Sequence, residues 1–210
     1  MKLSIVLFGL WLFLVPNVRG QKDLSRTYIA KGIETINIDG NGVHALTVVA
    51  SSVEEISVRV HLEGETSDEI VITEQLEDNK LTLGFSSWPL AKTYNDKLSA
   101  HKIVSVVVTI SIPETLFVTI NSNTAAVVAE GTFELLYIDV EDKNCVLQNF
   151  NGNANLTTNR GAIVVSTRNI STKAVAKTTY GTLQNLLGKN GIFTIYAKST
   201  HGDITLQQTQ

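Results

Sequence analysis

The chain has 210 residues, 43% of them apolar, and its 17 Lys and Arg against 20 Asp and Glu give a net charge of −3. That is apolar enough for the core of one domain, and the interspersed charges form none of the basic stripe that nucleic acid requires. Cys145 is the single cysteine, so no intrachain disulfide can form, and packing and backbone pairing must hold the fold.

In chain order, Met1 and Lys2 precede an apolar run from Leu3 to Val15. Pro16 and NVRG then place Val18 and Gly20 at the small-residue positions of a secretory cleavage site. Residues 1–20 are expected to be a cleaved signal peptide, because the run is short for a membrane span and polar sequence follows at once. No Cys follows the run to carry a lipid, and the closing LQQTQ offers no anchoring tail. The expected destination is the periplasm, the cell surface or the medium, with no membrane span after cleavage. Residues 21–27 read as an N-terminal tail and 28–210 as one domain, with N-terminal strands in 28–112 and repeated rungs in 113–210.

Period-two runs dominate that domain: TINI at 35–38, ALTVV at 45–49, ISVRVHL at 56–62, IVIT at 70–73, LTLGF at 81–85, IVSVVVTISI at 103–112 and LFVTI at 116–120. They are rich in β-branched residues and bounded by Gly, Asn, Asp or Pro, which predicts an all-β fold. The stretch 86–101, SSWPLAKTYNDKLSAH, lacks strand character and reads as a surface excursion.

The later half repeats. LTTNRGAI at 156–163, AKTTYGTL at 176–183 and AKSTHGDI at 197–204 follow one another at intervals of 20 and 21 residues. Extended by columns, Ala197, Ala176, Leu156, Val140 and Ile120 stand together, with Ile195, Ala174, Ala154, Ile138 and Val118 two residues earlier. All are apolar, so these columns predict the inward face of one stacked strand per repeat. A further apolar column, Ile204, Leu183, Ile163, Leu147 and Val127, predicts a second strand after a turn. Gly161, Gly181 and Gly202 share the turn, where absence of a β-carbon permits positive φ or close backbone approach; Cys145 and Ala125 continue their column. Ser199, Thr178 and Thr158, continued by Asp142 and Ser122, put small oxygen-bearing side chains at the corner to bond nearby backbone. Coils of about 20 residues stacked at the strand spacing are a β-solenoid; a β-sandwich would not keep residue type by column.

The two strands differ outside. The first is mostly polar outward, with Asp139, Asn155, Lys177 and Lys198, whereas the second begins with Ala126, Val128, Val146, Ala162 and Val164. Such a face is expected to be covered, either by the N-terminal strands or by a second copy in a homo-oligomer.

AKGIETINIDGNGVHALTV near the N-terminus, SVVVTISIPETLFVTINSNTAAV in mid-chain and the G-x-[IL] rungs at the end resemble the bacterial adhesin-like families DUF4097 and DUF2807, the autotransporter adhesin head or GIN domain. The resemblance runs from about Tyr28 to Leu206 and implies a right-handed β-helix-like solenoid, export and a role in adhesion or surface binding, with no catalytic residues. Thr124 and Ala125 depart from the Gly more usual at that turn.

Candidate chemistry is sparse. His44, His61, His101 and His201 form no pair at metal-ligand spacing, and EGETSDE at 63–69 lacks the order of a Ca²⁺ loop. DGNG at 39–42 reads as a tight turn, because no helix follows it to cradle a phosphate. Cys145, set among apolar residues, reads as a small buried hydrophobe rather than a reactive thiol. NLT at 155 and NIS at 169 are glycosylation sequons only in a eukaryotic host. A polysaccharide lyase or hydrolase on a β-helix needs clustered carboxylates, and only Asp139, Glu141 and Asp142, beside Lys143, offer any. No catalytic, metal or cofactor residue is therefore assigned. The expected function is non-enzymatic binding of a surface glycan or protein through an outer strand face. The alternative is an envelope-associated sensory or scaffolding domain, with the β-helix enzyme behind both.

Overall fold

The structure is a computed structural model that describes residues 21–64, 70–87 and 105–209. The leader 1–20, most of the acidic segment 63–69 and most of the excursion 86–101 lie outside the described residues. Fifteen strands follow in chain order: β1 Gln21–Ile29, β2 Thr35–Asp39, β3 Ala45–Ser51, β4 Glu55–Glu63, β5 Ile70–Glu77, β6 Lys80–Ser87, β7 Ser105–Pro113, β8 Phe117–Ser122, β9 Ala126–Val140, β10 Cys145–Thr158, β11 Ile163–Thr167, β12 Thr172–Thr178, β13 Leu183–Asn185, β14 Phe193–Ser199 and β15 Ile204–Gln208. No helix occurs among the described residues; the fold is all-β and β-solenoid-like.

Alternation in the sequence becomes alternation in burial. In β4, Ile56, Val58, Val60 and Leu62 are buried while Glu55, Arg59 and Glu63 face solvent, as the two-residue side-chain period requires. The strands form two facing stacks. The first runs β5, β6, β2, β8, the C-terminal part of β9, the C-terminal part of β10, β14 and β12. The second runs β1, β4, β7, β3, the N-terminal parts of β9 and β10, β11, β15 and β13. Strands β9 and β10 serve both stacks by turning the corner without a break. Gly131 and Gly152 permit this with φ values of 105° and 129°, a region that residues bearing a β-carbon rarely enter. Inward side chains of both stacks make one continuous core, with Phe133 and Phe150 stacked at 5.8 Å on the curved side.

Several expectations are corrected here. Leu156 pairs with Ile138, and Thr158 with Val140, so the column set at Val140 belongs at Ile138. Ile120, Ile138 and Leu156 are then 18 residues apart at each step. Inward parity survives because the slip is two residues, and Ile138 and Val140 are both apolar and buried. Likewise Cys145, not Leu147, pairs with Val127 and Ile163, and Val140, not Asp142, aligns with Ser122 and Thr158. Leu183, placed in an inward column, is 45% exposed because its strand ends the stack.

The coils also stack out of chain order. β14 lies between β10 and β12, and β15 between β11 and β13, so residues 193–208 are inserted between coils made before them. At the other end, β2 pairs with β8 and β3 with β9, so rungs begin well before residue 113. Residues 21–27, read as a tail, belong to β1 and pair with β4.

Candidate functional site

The outward side of the second stack carries the apolar row. Val128, Val146 and Val164 are direct cross-strand neighbours on β9, β10 and β11, continued by Thr47 on β3 and Thr205 on β15. Ala126 pairs with Ala45, and Ala162 is held by its N–H donating to Asn144 Oδ1 at 3.0 Å. All five residues singled out in the sequence thus lie on one face, each half-buried. The N-terminal strands do not lie over them: β3 joins edgewise to β9, and β7, β4 and β1 extend the same sheet beyond it. That cover is excluded by ladder pairing, since strands hydrogen-bonded in one sheet continue its face rather than shield it.

Where β3, β7 and β4 meet, this face sinks into a groove of about 590 Å³ lined by Val49, Ser57, Arg59, Thr109 and Ser111, with Glu54 and Glu55 also on its wall. A neighbouring depression of about 290 Å³ shares Arg59 and Thr109. Sequence reasoning missed the groove because it depends on β4 pairing antiparallel with β7, a contact between residues far apart in sequence and without a local signal. Beside it His61 Nδ1 lies 2.7 Å from Asp23 Oδ1 and Nε2 lies 3.3 Å from Glu63 Oε1. Hydrogen bonding to Asp23, then to Glu63, raises the His61 pKa above its ordinary value. At the stack end, the Tyr28 hydroxyl on β1 donates to Glu74 on β5. Burial, with that carboxylate second, lifts the phenol above its usual range.

The corner that holds Gly161, Gly202 and Gly181 is built by close approach. A β-carbon at Gly161 would run into the Lys143 carbonyl, one at Gly202 into the Gly161 carbonyl, and one at Gly181 into the Gly202 carbonyl. None of the three has positive φ. The hydroxyl column ties the same corner: Thr158 Oγ1 donates to Gly161 O at 2.6 Å, and Gly202 N–H donates to Ser199 Oγ at 2.8 Å. At the turn that lacks Gly, Thr124 Oγ1 accepts from Gly42 N–H at 3.1 Å, and Ala125 N–H donates to Ser122 Oγ at 2.8 Å.

Two members of the acidic cluster, Glu141 and Asp142, are tied to this scaffold, while Asp139 is exposed beside them. Glu141 Oε1 accepts from Asn159 Nδ2 at 2.8 Å, and Asp142 pairs with Arg160, which lowers its pKa. Asp203 Oδ1 accepts from Thr182 N–H at 2.7 Å, while His201 stacks on Tyr180 with ring centroids 4.9 Å apart. Asp39 Oδ1 accepts from Asn41 N–H at 2.9 Å inside the DGNG turn. Cys145 is buried, and desolvation pushes its thiol up to about 12. Among the described residues no three His, Cys, Asp or Glu side chains gather to hold a metal, and no helix is long and apolar enough to cross a membrane.

No protein-family model and no curated protein matches the chain. Among solved structures, a proposed cell adhesion protein from Clostridium sporogenes ATCC 15579 matches 90% of this chain and 100% of its own, with a TM-score of 0.65 at 15% identity. A proposed adhesin from Bacteroides fragilis NCTC 9343 matches 91% of this chain and 99% of its own, with a TM-score of 0.39 at 15% identity. The first of these has the same fold as this chain.

Proposed function

We propose that the chain is an exported, non-catalytic adhesin-like protein, of the DUF4097 and GIN-domain kind, that holds a surface glycan or protein on the outward face of its second stack. The observation that carries the reading is the row Val128, Val146 and Val164, an apolar stripe on a sheet face that the N-terminal strands flank instead of covering. Apolar surface of this kind on a rigid sheet is what an association site offers. The adhesion-related name of the protein that shares the fold agrees with this reading. Glu141, Asp142 and Asp203 have hydrogen-bond partners at the corners, which supports a structural role for them.

The test is binding of fluorescently labelled protein to intact cells and to a glycan array, wild type against Val128→Lys with Val164→Lys. Loss of binding with an unchanged melting curve is expected. Undiminished binding by the double variant overturns the reading. Size-exclusion chromatography with light scattering separates a homo-oligomer, since a dimer that Val164→Lys returns to monomer assigns the face to a second copy.

A further inference from the structure

The first stack has an outward face of different chemistry. Its register sets Tyr137 on β9, Asn155 on β10 and Tyr196 on β14 side by side. The two tyrosines are 45% and 52% exposed, and Asn155 between them is half-buried, its amide bonded to no other described group. Thr119 on β8 and Asn37 on β2 continue the row. From Asn37 to Tyr196 the row contains no charged residue.

We propose that this row is a binding platform for an uncharged, extended oligosaccharide lying along the stack, across the strands. A pyranose ring has an apolar C–H face and a rim of hydroxyls, and a tyrosine offers a ring face to the first and a phenol to the second. Tyr137 and Tyr196 are two strand spacings apart, about 10 Å, which matches the distance from one sugar ring to the next but one in an extended chain. Alternate sugars then stack on tyrosine while the one between lies over Asn155, whose amide both donates and accepts.

Other ligand classes fit less well. Strands β8, β9, β10 and β14 have ladder partners on both sides, so they offer no free edge to a peptide strand. The row itself holds no cation, and in the neighbouring row Lys198 and Lys177 share the face with Asp139, so a phosphate chain meets no continuous line of positive charge. An acyl chain would bury Asn155 and Thr119 without partners. Because the strands are fixed by pairing, the platform is ordered before the ligand arrives, which lowers the cost of binding. This site lies on the opposite side of the molecule from the valine row and stands independently of the function proposed for it.

A screen of the purified protein on an array of neutral oligosaccharides, followed by titration calorimetry with the best hexasaccharide, tests the proposal. Tyr137→Ala and Tyr196→Ala are each expected to weaken binding about tenfold, the loss of one stacked ring. Tyr196→Phe, which keeps the ring, retains most of the affinity, and the disaccharide of the same sugar binds far more weakly because it cannot span both rings. Tyr180→Ala at the corner, outside both rows, leaves the affinity unchanged, and circular dichroism confirms that the variants are folded. Absence of any neutral ligand on the array overturns the proposal. So does binding that persists in the Tyr137→Ala, Tyr196→Ala double variant, or that is lost only with Val164→Lys.

Discussion

The α-carbon of Gly202 faces the carbonyl oxygen of Gly161 on the adjacent coil so closely that a β-carbon has no room between them. Successive coils therefore approach at this corner more tightly than a side chain permits. The neighbouring bond from Thr158 Oγ1 to Gly161 O fixes the position of the oxygen that would be struck.

Gly202→Ala is accordingly expected to destabilise the protein by about 3 kcal/mol, at the upper end of over-packing penalties, since backbone rather than a flexible side chain must move. Gly188 is the control, because a β-carbon there meets nothing nearer than Asn190 O at 3.5 Å. Gly188→Ala should change stability by about 0.5 kcal/mol or less. Urea denaturation of the two variants measures both; equal shifts would mean that the corner relaxes freely.

Core parity is checked by charge. Ile163 and Ile195 are fully buried, whereas Lys177 and Lys198 face solvent. Ile163→Asp or Ile195→Asp puts an unpaired carboxylate into the core and should cost about 3 kcal/mol or more. Lys177→Ala or Lys198→Ala should cost about 0.5 kcal/mol or less, and denaturant melts compare the sets directly.

The insertion of β14 between β10 and β12 has its own test. Thr157 pairs with Lys198, and Lys198 with Lys177. Cysteines at 157 and 198 stand on adjacent strands about 4.8 Å apart, within disulfide reach. Cysteines at 157 and 177 stand at about twice that distance. Mild oxidation should cross-link Thr157→Cys with Lys198→Cys and leave Thr157→Cys with Lys177→Cys reduced, read by mass spectrometry. Stacking in chain order reverses the two results.

Burial of Cys145 makes stability depend on alkaline pH. Its thiol is raised from 9.0 to about 12 by desolvation, so above pH 9 the unfolded chain gives up a proton that the folded chain keeps. The contribution is fully present below pH 9 and is lost as pH rises toward 12, with a slope of up to about 1.4 kcal/mol per pH unit. Cys145→Ala should flatten the decline between pH 9 and pH 11 relative to wild type, as followed by urea melts across that range. Parallel curves would show that another group governs it.

Much of this architecture is legible from β-branched alternation, because a half-buried strand can hardly be written otherwise, and β4 is the plainest case. Register is less legible. Ile138 and Val140 are both apolar and of the same parity, so only backbone pairing distinguishes them. That ambiguity also hid the tyrosine row, since the slipped alignment sets Tyr137 opposite Asn153 instead of Asn155. The order of coils left no trace, because Ala174 and Ile195 fill the same inward column whichever lies outermost. The groove at Arg59 was invisible for a related reason, as its walls come from strands that only the folded sheet brings together.

The displaced coil also sets an order of events during synthesis. β12 has its ladder in β14, and β13 in β15, so residues 172–187 emerge before the strands that will seat them exist. The growing stack can close its rungs one by one as far as β10 and β11, and must then wait. Residues 193–208 act as a keystone: until they slide into place, the outermost coil has nothing to rest on, and a chain halted at Asn190 would carry it as a loose, unpaired end.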